Sequence, residues 1–291
     1  MRSLLAKVTK DDVFTEPFPH IIIKDPLDED LCKQLFEEFP TLDQVTEGKK
    51  YASNERFSYS AAKVLKDTRI SPLWREFVAT HVSQSFLTEF IELFKDEIRQ
   101  VYPDFEKEFG KLETLTAGTR KKDSFETVDV LLDGQICVNT PVGEKPSSVR
   151  GPHVDSTNKL FAGLYYLRDP KDTSTGGDLE IYKFKTKDYQ FEGQFISDEY
   201  VETIKTVKYE RNVLVLFVNS IDSLHGVTVR ETTDCPRYFF NLLGEVKKNL
   251  FSFTPEENKH KQQVREKQFK IPIPASLKAL KRKLSVRVTK R

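Results

Sequence analysis

From about Thr127 the chain becomes a series of short strands. TVDVLLDG, GQICVNTP, KLFAGLYYL, GDLEIYKF, TIKTVKY, VLVLFV, HGVTV and RYFFNLL follow one another over about 120 residues. Each run is rich in β-branched and aromatic residues, and turn chemistry separates it from the next. Runs so short and closely spaced suit an antiparallel sandwich or small barrel better than a βαβ architecture, which needs crossover helices between strands. VLVLFV is apolar throughout, as expected of a central strand covered on both faces.

The preceding 120 residues have a different period. PHIIIKDPLDEDLCKQLFEEFP reads as a short strand and then a helix capped by Asp28, with Leu31, Leu35 and Phe39 at helical spacing. A longer helix is expected from Ser71, with Pro72 in its first turn, to Tyr102-Pro103. Trp74, Phe77, Val78, Val82, Phe86, Phe90, Ile91, Phe94 and Ile98 make one wide apolar stripe along it, suited to lie against a sheet. The expected class is therefore α+β. Residues 1–120 form a helical support region packed on the core, 121–250 a β core, and 251–291 a basic tail with one helical candidate, SLKALKRKLSVRV.

The 38% apolar content, with 22 Phe and 10 Tyr, supports a folded globular protein. A net charge of +1 gives no global field toward nucleic acid or membrane, and the basic tail reads as a solvated face. Cys32, Cys137 and Cys235 are odd in number and widely spaced, so neither a disulfide framework nor a Cys-x-x-Cys metal site is expected. With no signal-peptide pattern and no membrane-length apolar run, the expected compartment is the cytoplasm. Oligomeric state leaves no mark in the sequence.

Chemistry concentrates in RGPHVDSTNKL. Only five histidines occur in the chain, and His153 stands two positions before Asp155. On an extended backbone these two side chains project to the same side. Alone, such a pair is more often a hydrogen-bonded surface feature. A second histidine in a matching position changes that, because His225 opens the strand after VLVLFV and its turn. Two histidines and a carboxylate at strand mouths in a β domain are the ligand set of a mononuclear non-haem iron(II) site. By strand parity, Val227 and Val229 share the cavity face with His225 while Arg230 faces away. Arg237, opening RYFFNLL, is then the better candidate to hold a ligand carboxylate, with a surface pairing to Asp234 or Glu231 as the alternative.

The ordered set HVD, YYL, GGDLEIY, NVLVLF, HGVTV and RYFF resembles the double-stranded β-helix (jelly-roll, cupin-like) core of the 2-oxoglutarate- and iron(II)-dependent dioxygenases, of the prolyl 4-hydroxylase type, over about residues 127 to 245. The resemblance implies His153, Asp155 and His225 as Fe(II) ligands. It implies Arg237 and Tyr166 as the grip on the distal carboxylate of 2-oxoglutarate, and the Gly176-Gly177 pair as the turn into the next strand. It further implies O2 as cosubstrate, ascorbate as a supporting reductant, and hydroxylation of an unactivated C–H bond with release of succinate and CO2. The chain departs from the pattern at Phe239, where many members carry a small hydroxyl residue. It departs again in GQICVNTP, where many have a tyrosine, and in the longer spacing from His225 to Arg237. Asp155 argues against the halogenating relatives, which lack the carboxylate ligand.

His81 lies in the apolar stripe and reads as a core histidine, while His20 and His260 have no ligand-like setting. No G-x-G-x-x-G, Walker loop or G-x-S-x-G occurs. A zinc hydrolase could use the same three ligands but gives Arg237 and Tyr166 no task. Substrate recognition is expected from residues 143–152, 168–177 and 186–202, with Lys159 and Asn139 as polar contacts. The resemblance tips the substrate toward a protein or peptide side chain, with a small metabolite also open. The competing class is a non-catalytic metal-binding β-helix module acting as a scaffold.

Overall fold

In the computed structural model, residues 1–186 and 193–253 are described. Part of the expected substrate insert, 187–192, and the helical candidate of the basic tail lie outside them. The first half of the chain runs β1 (His20–Lys24), α1 (Glu29–Glu37), α2 (Leu42–Thr46), β2 (Arg56–Tyr59), α3 (Ala61–Val64), α4 (Pro72–His81), α5 (Gln84–Val101), α6 (Phe105–Phe109) and β3 (Ala117–Thr119). The second half is mostly strand, with one short 3-10 turn at Asp198–Tyr200: β4 (Val130–Asn139), β5 (Lys159–Tyr166), β6 (Leu179–Phe184), β7 (Val201–Val207), β8 (Val213–Val218), β9 (His225–Val227) and β10 (Arg237–Val246). Met1–Ser252 make one compact unit.

The strands assemble into two sheets. The larger has the order β1-β8-β5-β10-β4-β2, antiparallel throughout, with β3 joining β4 in parallel. The smaller has the order β7-β6-β9. One buried cluster draws on both, taking Cys137, Tyr166, Val213, Val215, Phe217 and Phe239 from the larger and Leu179, Ile181 and Val207 from the smaller. The sheets therefore face each other across a shared interior, which is the double-stranded β-helix core expected from the sequence. The first 120 residues contribute β1, β2 and β3 to the larger sheet as well as the helices. Among the described residues no helix is long and apolar enough to cross a membrane.

The outer face of the larger sheet carries the helices. Alternation along β10 sends Arg237 and Phe239 inward and Phe240 outward. There Phe240 meets Phe77 at 5.0 Å, His81 at 5.5 Å and Trp74 at 6.1 Å between ring centroids. Phe90 of α5 stacks 4.2 Å from Phe161 of β5. Each such ring contributes roughly 1.5–3 kcal/mol of burial. The apolar stripe expected to lie against a sheet does so.

Three local expectations are corrected. TVDVLLDG and GQICVNTP are one strand, β4. Gly134 is no turn residue there but the point where the Phe240 ring crosses, and a Cβ would stand 2.6 Å from Phe240 Cζ. The long helix is two helices, because Ser83 interrupts it. Its Oγ accepts from Phe86 N–H at 3.2 Å, capping α5, and donates to the Thr80 carbonyl at 2.7 Å. Asp28 occupies the N-cap position of α1, but its carboxylate takes the Lys7 ammonium at 2.6 Å in place of a helix N–H.

His81 is fully buried in this layer. Its Nδ1–H donates to the Phe77 carbonyl at 2.7 Å, and its Nε2 accepts from Leu4 N–H at 3.0 Å. Burial pushes its pKa down to about 4, against the ordinary 6.5. The unfolded chain thus takes up a proton that the folded chain refuses between those values. The stability His81 contributes is full above about pH 6.5 and is lost as pH falls toward 4. His81→Gln should remove up to about 1.4 kcal/mol per pH unit from the slope of stability across that window, read by urea titration at several pH values. Phe240→Ala should cost about 3–5 kcal/mol in the same measurement at neutral pH.

Candidate metal centre

His153 and His225 are brought together by backbone hydrogen bonds. His153 N–H donates to the His225 carbonyl at 2.9 Å, and His225 N–H returns to the His153 carbonyl at 3.0 Å. Residues paired in this way across an antiparallel bridge stand directly opposite, with side chains on one face. The imidazole centroids are 4.2 Å apart. The segment around His153 is held on its other side by Val154 N–H to the Gln194 carbonyl and Ile196 N–H to the Pro152 carbonyl, both 3.0 Å. It thus extends the smaller sheet beyond β9. Asp155, two positions on, adds its carboxylate to the same face.

The ligand atoms of His153, Asp155 and His225 all lie within 4.8 Å of one another, and all three residues are buried. A divalent ion with bonds of about 2.1 Å spans up to about 4.2 Å between ligands, so small side-chain shifts complete a coordination sphere. The tautomers are set for it. His153 Nδ1 faces the Gly151 carbonyl and His225 Nδ1 the Ser223 carbonyl, each at 2.9 Å, which directs both Nε2 lone pairs to the centre. Burial pushes both imidazole pKa values down, aided at His153 by His225 and Arg150, so both rings are neutral donors. At Asp155 burial pushes upward, but the cationic Lys159 and Arg150 beside it hold the carboxyl below the usual range. Two neutral nitrogens and one anionic oxygen suit a hard-to-borderline divalent cation with positions left open.

Lys159 Nζ stands 3.1 Å from Asp155 Oδ1, and Arg150 Nη1 3.9 Å from the same atom. Together they leave Oδ2 as the free ligand. Lys159, expected as a polar contact of the substrate, is instead an outer partner of the acid.

Arg237 and Tyr166 meet in the interior. The Arg237 guanidinium lies 4.8 Å from the Tyr166 ring, 4.8 Å from Tyr209 and 5.0 Å from Phe239. Its Nε donates to the Gly177 carbonyl at 2.9 Å. The pairing with Asp234 or Glu231 weighed from sequence is absent, and no carboxylate lies within ion-pair reach of it among the described residues. Arg237 Nη2, Tyr166 Oη and both amide atoms of Asn139 are buried without hydrogen-bond partners. Buried, unpaired polar groups of this kind cost free energy unless a ligand satisfies them. An unpaired guanidinium Nη2 beside an unpaired phenol hydroxyl fits a carboxylate.

The turn that presents the Gly177 carbonyl requires its glycines. Both have positive φ, +78° and +72°, and a Cβ on Gly176 would lie 1.8 Å from the Val229 carbonyl oxygen. Arg230 is spoken for elsewhere. Its Nη2 donates to Asp172 at 2.7 Å and its Nε to Ser174 at 3.2 Å. Its charge is thus neutralised by Asp172, although its Nη1 is buried without a partner. The strand-parity reason for setting Arg230 aside needs correction, because β9 ends at Val227 and Val229 is 55% exposed rather than cavity-facing. Residues 168–177, expected to border the substrate, hold this Arg168-Asp172-Arg230 knot.

No protein-family model and no curated protein matches the sequence. Among solved structures the chain is similar to a prolyl-4-hydroxylase from Pseudomonas putida, at 12% identity over 84% of this chain and 100% of that one, with a TM-score of 0.44. It is similar to a prolyl 4-hydroxylase from Phytophthora capsici at 18% identity, 87% and 66% coverage and a TM-score of 0.46. It is also similar to a prolyl hydroxylase from Trichoplax adhaerens, solved with a hypoxia inducible factor oxygen degradation domain peptide fragment, at 12% identity, 78% and 84% coverage and a TM-score of 0.41. Other solved structures similar to this chain at the same level include the epimerase SnoN, at 10% identity, 78% and 76% coverage and a TM-score of 0.46.

Proposed function

We infer that the protein is an Fe(II)- and 2-oxoglutarate-dependent dioxygenase that hydroxylates a C–H bond of its substrate. The single observation that carries this reading is the convergence of His153, Asp155 and His225 within 4.8 Å, in the neutral-neutral-anionic state a ferrous ion takes. The second support is the unpaired Arg237 and Tyr166 in the same interior. A zinc hydrolase would account for the first and leave the second without use.

In this reading His153 Nε2, His225 Nε2 and Asp155 Oδ2 hold the metal. Lys159 and Arg150 occupy the other carboxylate oxygen and keep Asp155 from closing bidentately. Arg237 and Tyr166 bind the far carboxylate of 2-oxoglutarate, fixing its orientation where the rings of Tyr209 and Phe239 exclude water. Phe239, standing where relatives carry a small hydroxyl, lies against the guanidinium in place of a hydrogen-bonding partner. When bound, iron and 2-oxoglutarate supply the oxidation itself: O2 and 2-oxoglutarate are consumed, succinate and CO2 are released, and one oxygen atom enters the substrate C–H bond. The substrate is read as a protein or peptide side chain or a small metabolite, reached in the cytoplasm.

The deciding measurement is succinate formation by the purified protein with Fe(II), 2-oxoglutarate and ascorbate, since even turnover uncoupled from substrate leaves succinate. Tight metal binding with no succinate would favour the non-catalytic module. Asp155→Ala should abolish succinate and weaken Co(II) binding at least tenfold by calorimetry. Wild-type affinity in that variant would reject the ligand assignment. Arg237→Ala should raise the 2-oxoglutarate requirement by about 30-fold or more with little change in the iron requirement. Arg230→Ala should instead cost about 3 kcal/mol of stability, because Asp172 is left buried beside one fewer cation. The reverse pattern would reassign the carboxylate grip.

A further inference from the structure

We propose that the substrate carries an anionic oxyacid group, a carboxylate or a phosphate, and that Arg56 and Arg150 bind it at the mouth of the metal centre. One rung of the larger sheet runs Arg56 of β2, Asn139 of β4 and Arg237 of β10, since Asn139 is registered opposite both arginines. Directly opposed residues share a face, so all three side chains line the interior side. Arg237 is the inner end of this rung and Arg56, on the edge strand, the outer end. Between them the Asn139 amide is fully buried, with neither its oxygen nor its nitrogen partnered. A buried amide left unsatisfied on both atoms marks a place built for a polar ligand.

Arg56 reaches inward from its edge position. Its guanidinium lies 5.1 Å from the centroid of the Phe239 ring and its Nη2 3.9 Å from Cys137 Sγ. Among the described residues no carboxylate lies within ion-pair distance of it. Arg150 approaches from the other sheet. Its backbone carbonyl accepts from Val227 N–H at 2.9 Å, and its guanidinium lies 5.4 Å from the ring of Phe195, which is 64% exposed beside His153. Among the described residues the one carboxylate within ion-pair distance of Arg150 is Asp155, at 3.9 Å. The segments that carry the two arginines are tied together, since Asn54 Nδ2 donates to the Ser147 carbonyl at 3.0 Å.

Charge balance then selects the ligand, and this step rests on the dioxygenase reading. A ferrous ion, the Asp155 carboxylate, dianionic 2-oxoglutarate and the Arg237 guanidinium cancel one another. Lys159, Arg150 and Arg56 remain in excess around the opening. Arg56 is an exposed edge residue and Arg150 a half-buried one, and an oxyanion bridging the two guanidinium groups would offset their mutual repulsion. Their planar donors match carboxylate and phosphate oxygens, whereas a neutral side chain would leave both unpaired. The anion would also anchor the substrate at a fixed distance from the metal, with Asn139 meeting the polar group next to it.

The test uses the full chain loaded with Co(II) and 2-oxoglutarate under nitrogen, titrated with matched acid and neutral probes while the cobalt visible spectrum is followed. One arm uses N-acetyl amino acids against their C-terminal amides, the other hexose phosphates against the parent hexoses. In at least one arm the acid should bind about tenfold or more tighter than its neutral counterpart, and the responding arm identifies carboxylate or phosphate. Arg56→Gln and Arg150→Gln should each erase most of that preference. Equal affinity of acid and neutral members in both arms, or an undiminished preference in both variants, overturns the proposal. Cobalt and 2-oxoglutarate uptake give their own spectral changes in the same titration. Their absence in the unaltered protein would sink the dioxygenase reading and the anion site with it.

Discussion

The reciprocal backbone pair between His153 and His225 is the interaction on which the site depends. Two hydrogen bonds, 2.9 and 3.0 Å long, set two residues far apart in sequence directly opposite each other. From that registration the rest follows with little freedom. Both imidazoles face one way, each ring is oriented by the carbonyl two residues before it, and the alternation of an extended chain delivers Asp155 to the same side. A slip of one residue in this pairing would turn one imidazole to the opposite face and dissolve the triad. The metal site is therefore a property of strand register before it is a property of side chains.

The same interior handles its cations in two opposite ways. Arg230 is buried and its charge is matched by Asp172, with Ser174 and Arg168 completing the knot, although its Nη1 has no hydrogen-bond partner. Arg237 is equally buried and has only a backbone carbonyl and three aromatic rings. Ring faces and a peptide oxygen soften the desolvation of a guanidinium without neutralising it. The first arrangement balances its charge within the fold. The second leaves part of its stabilisation to be supplied by an incoming anion, and the orphaned Tyr166 hydroxyl and Asn139 amide beside it carry the same logic.

The parts legible in the sequence are those governed by local periodicity. Strand alternation, the i and i+2 relation of His153 and Asp155, and the apolar stripe from Trp74 to Ile98 are all short-range patterns, and each has its expected counterpart in the fold. The failures have local causes too, but ones decided by distant partners. Gly134 has the appearance of a turn residue because its real requirement, space for the Phe240 ring, comes from a strand about a hundred residues away. Ser83 is read through because a single serine inside an apolar stripe carries no weight until its hydroxyl is seen capping α5. The parity assigned to Arg230 fails because β9 stops after three residues, which no pattern in HGVTV announces. Arg56 escapes a reading centred on the β-rich half, since its relation to Asn139 and Phe239 exists only once β2 joins the edge of β4.

Strand β10 divides stability from chemistry by alternation alone. Arg237 and Phe239 point inward to the proposed cosubstrate site, while Phe240 points outward to Trp74, Phe77 and His81. Because the outward ring is clamped between the helical layer and the small Gly134, the backbone that carries the inward arginine cannot shift without opening a packed aromatic layer. The helices of the first hundred residues thus act on the site without touching it, by holding the strand from which Arg237 projects. That is why this chain, whose candidate metal ligands and cosubstrate grip sit in its β-rich half, devotes so many of its large aromatic side chains to the outer face.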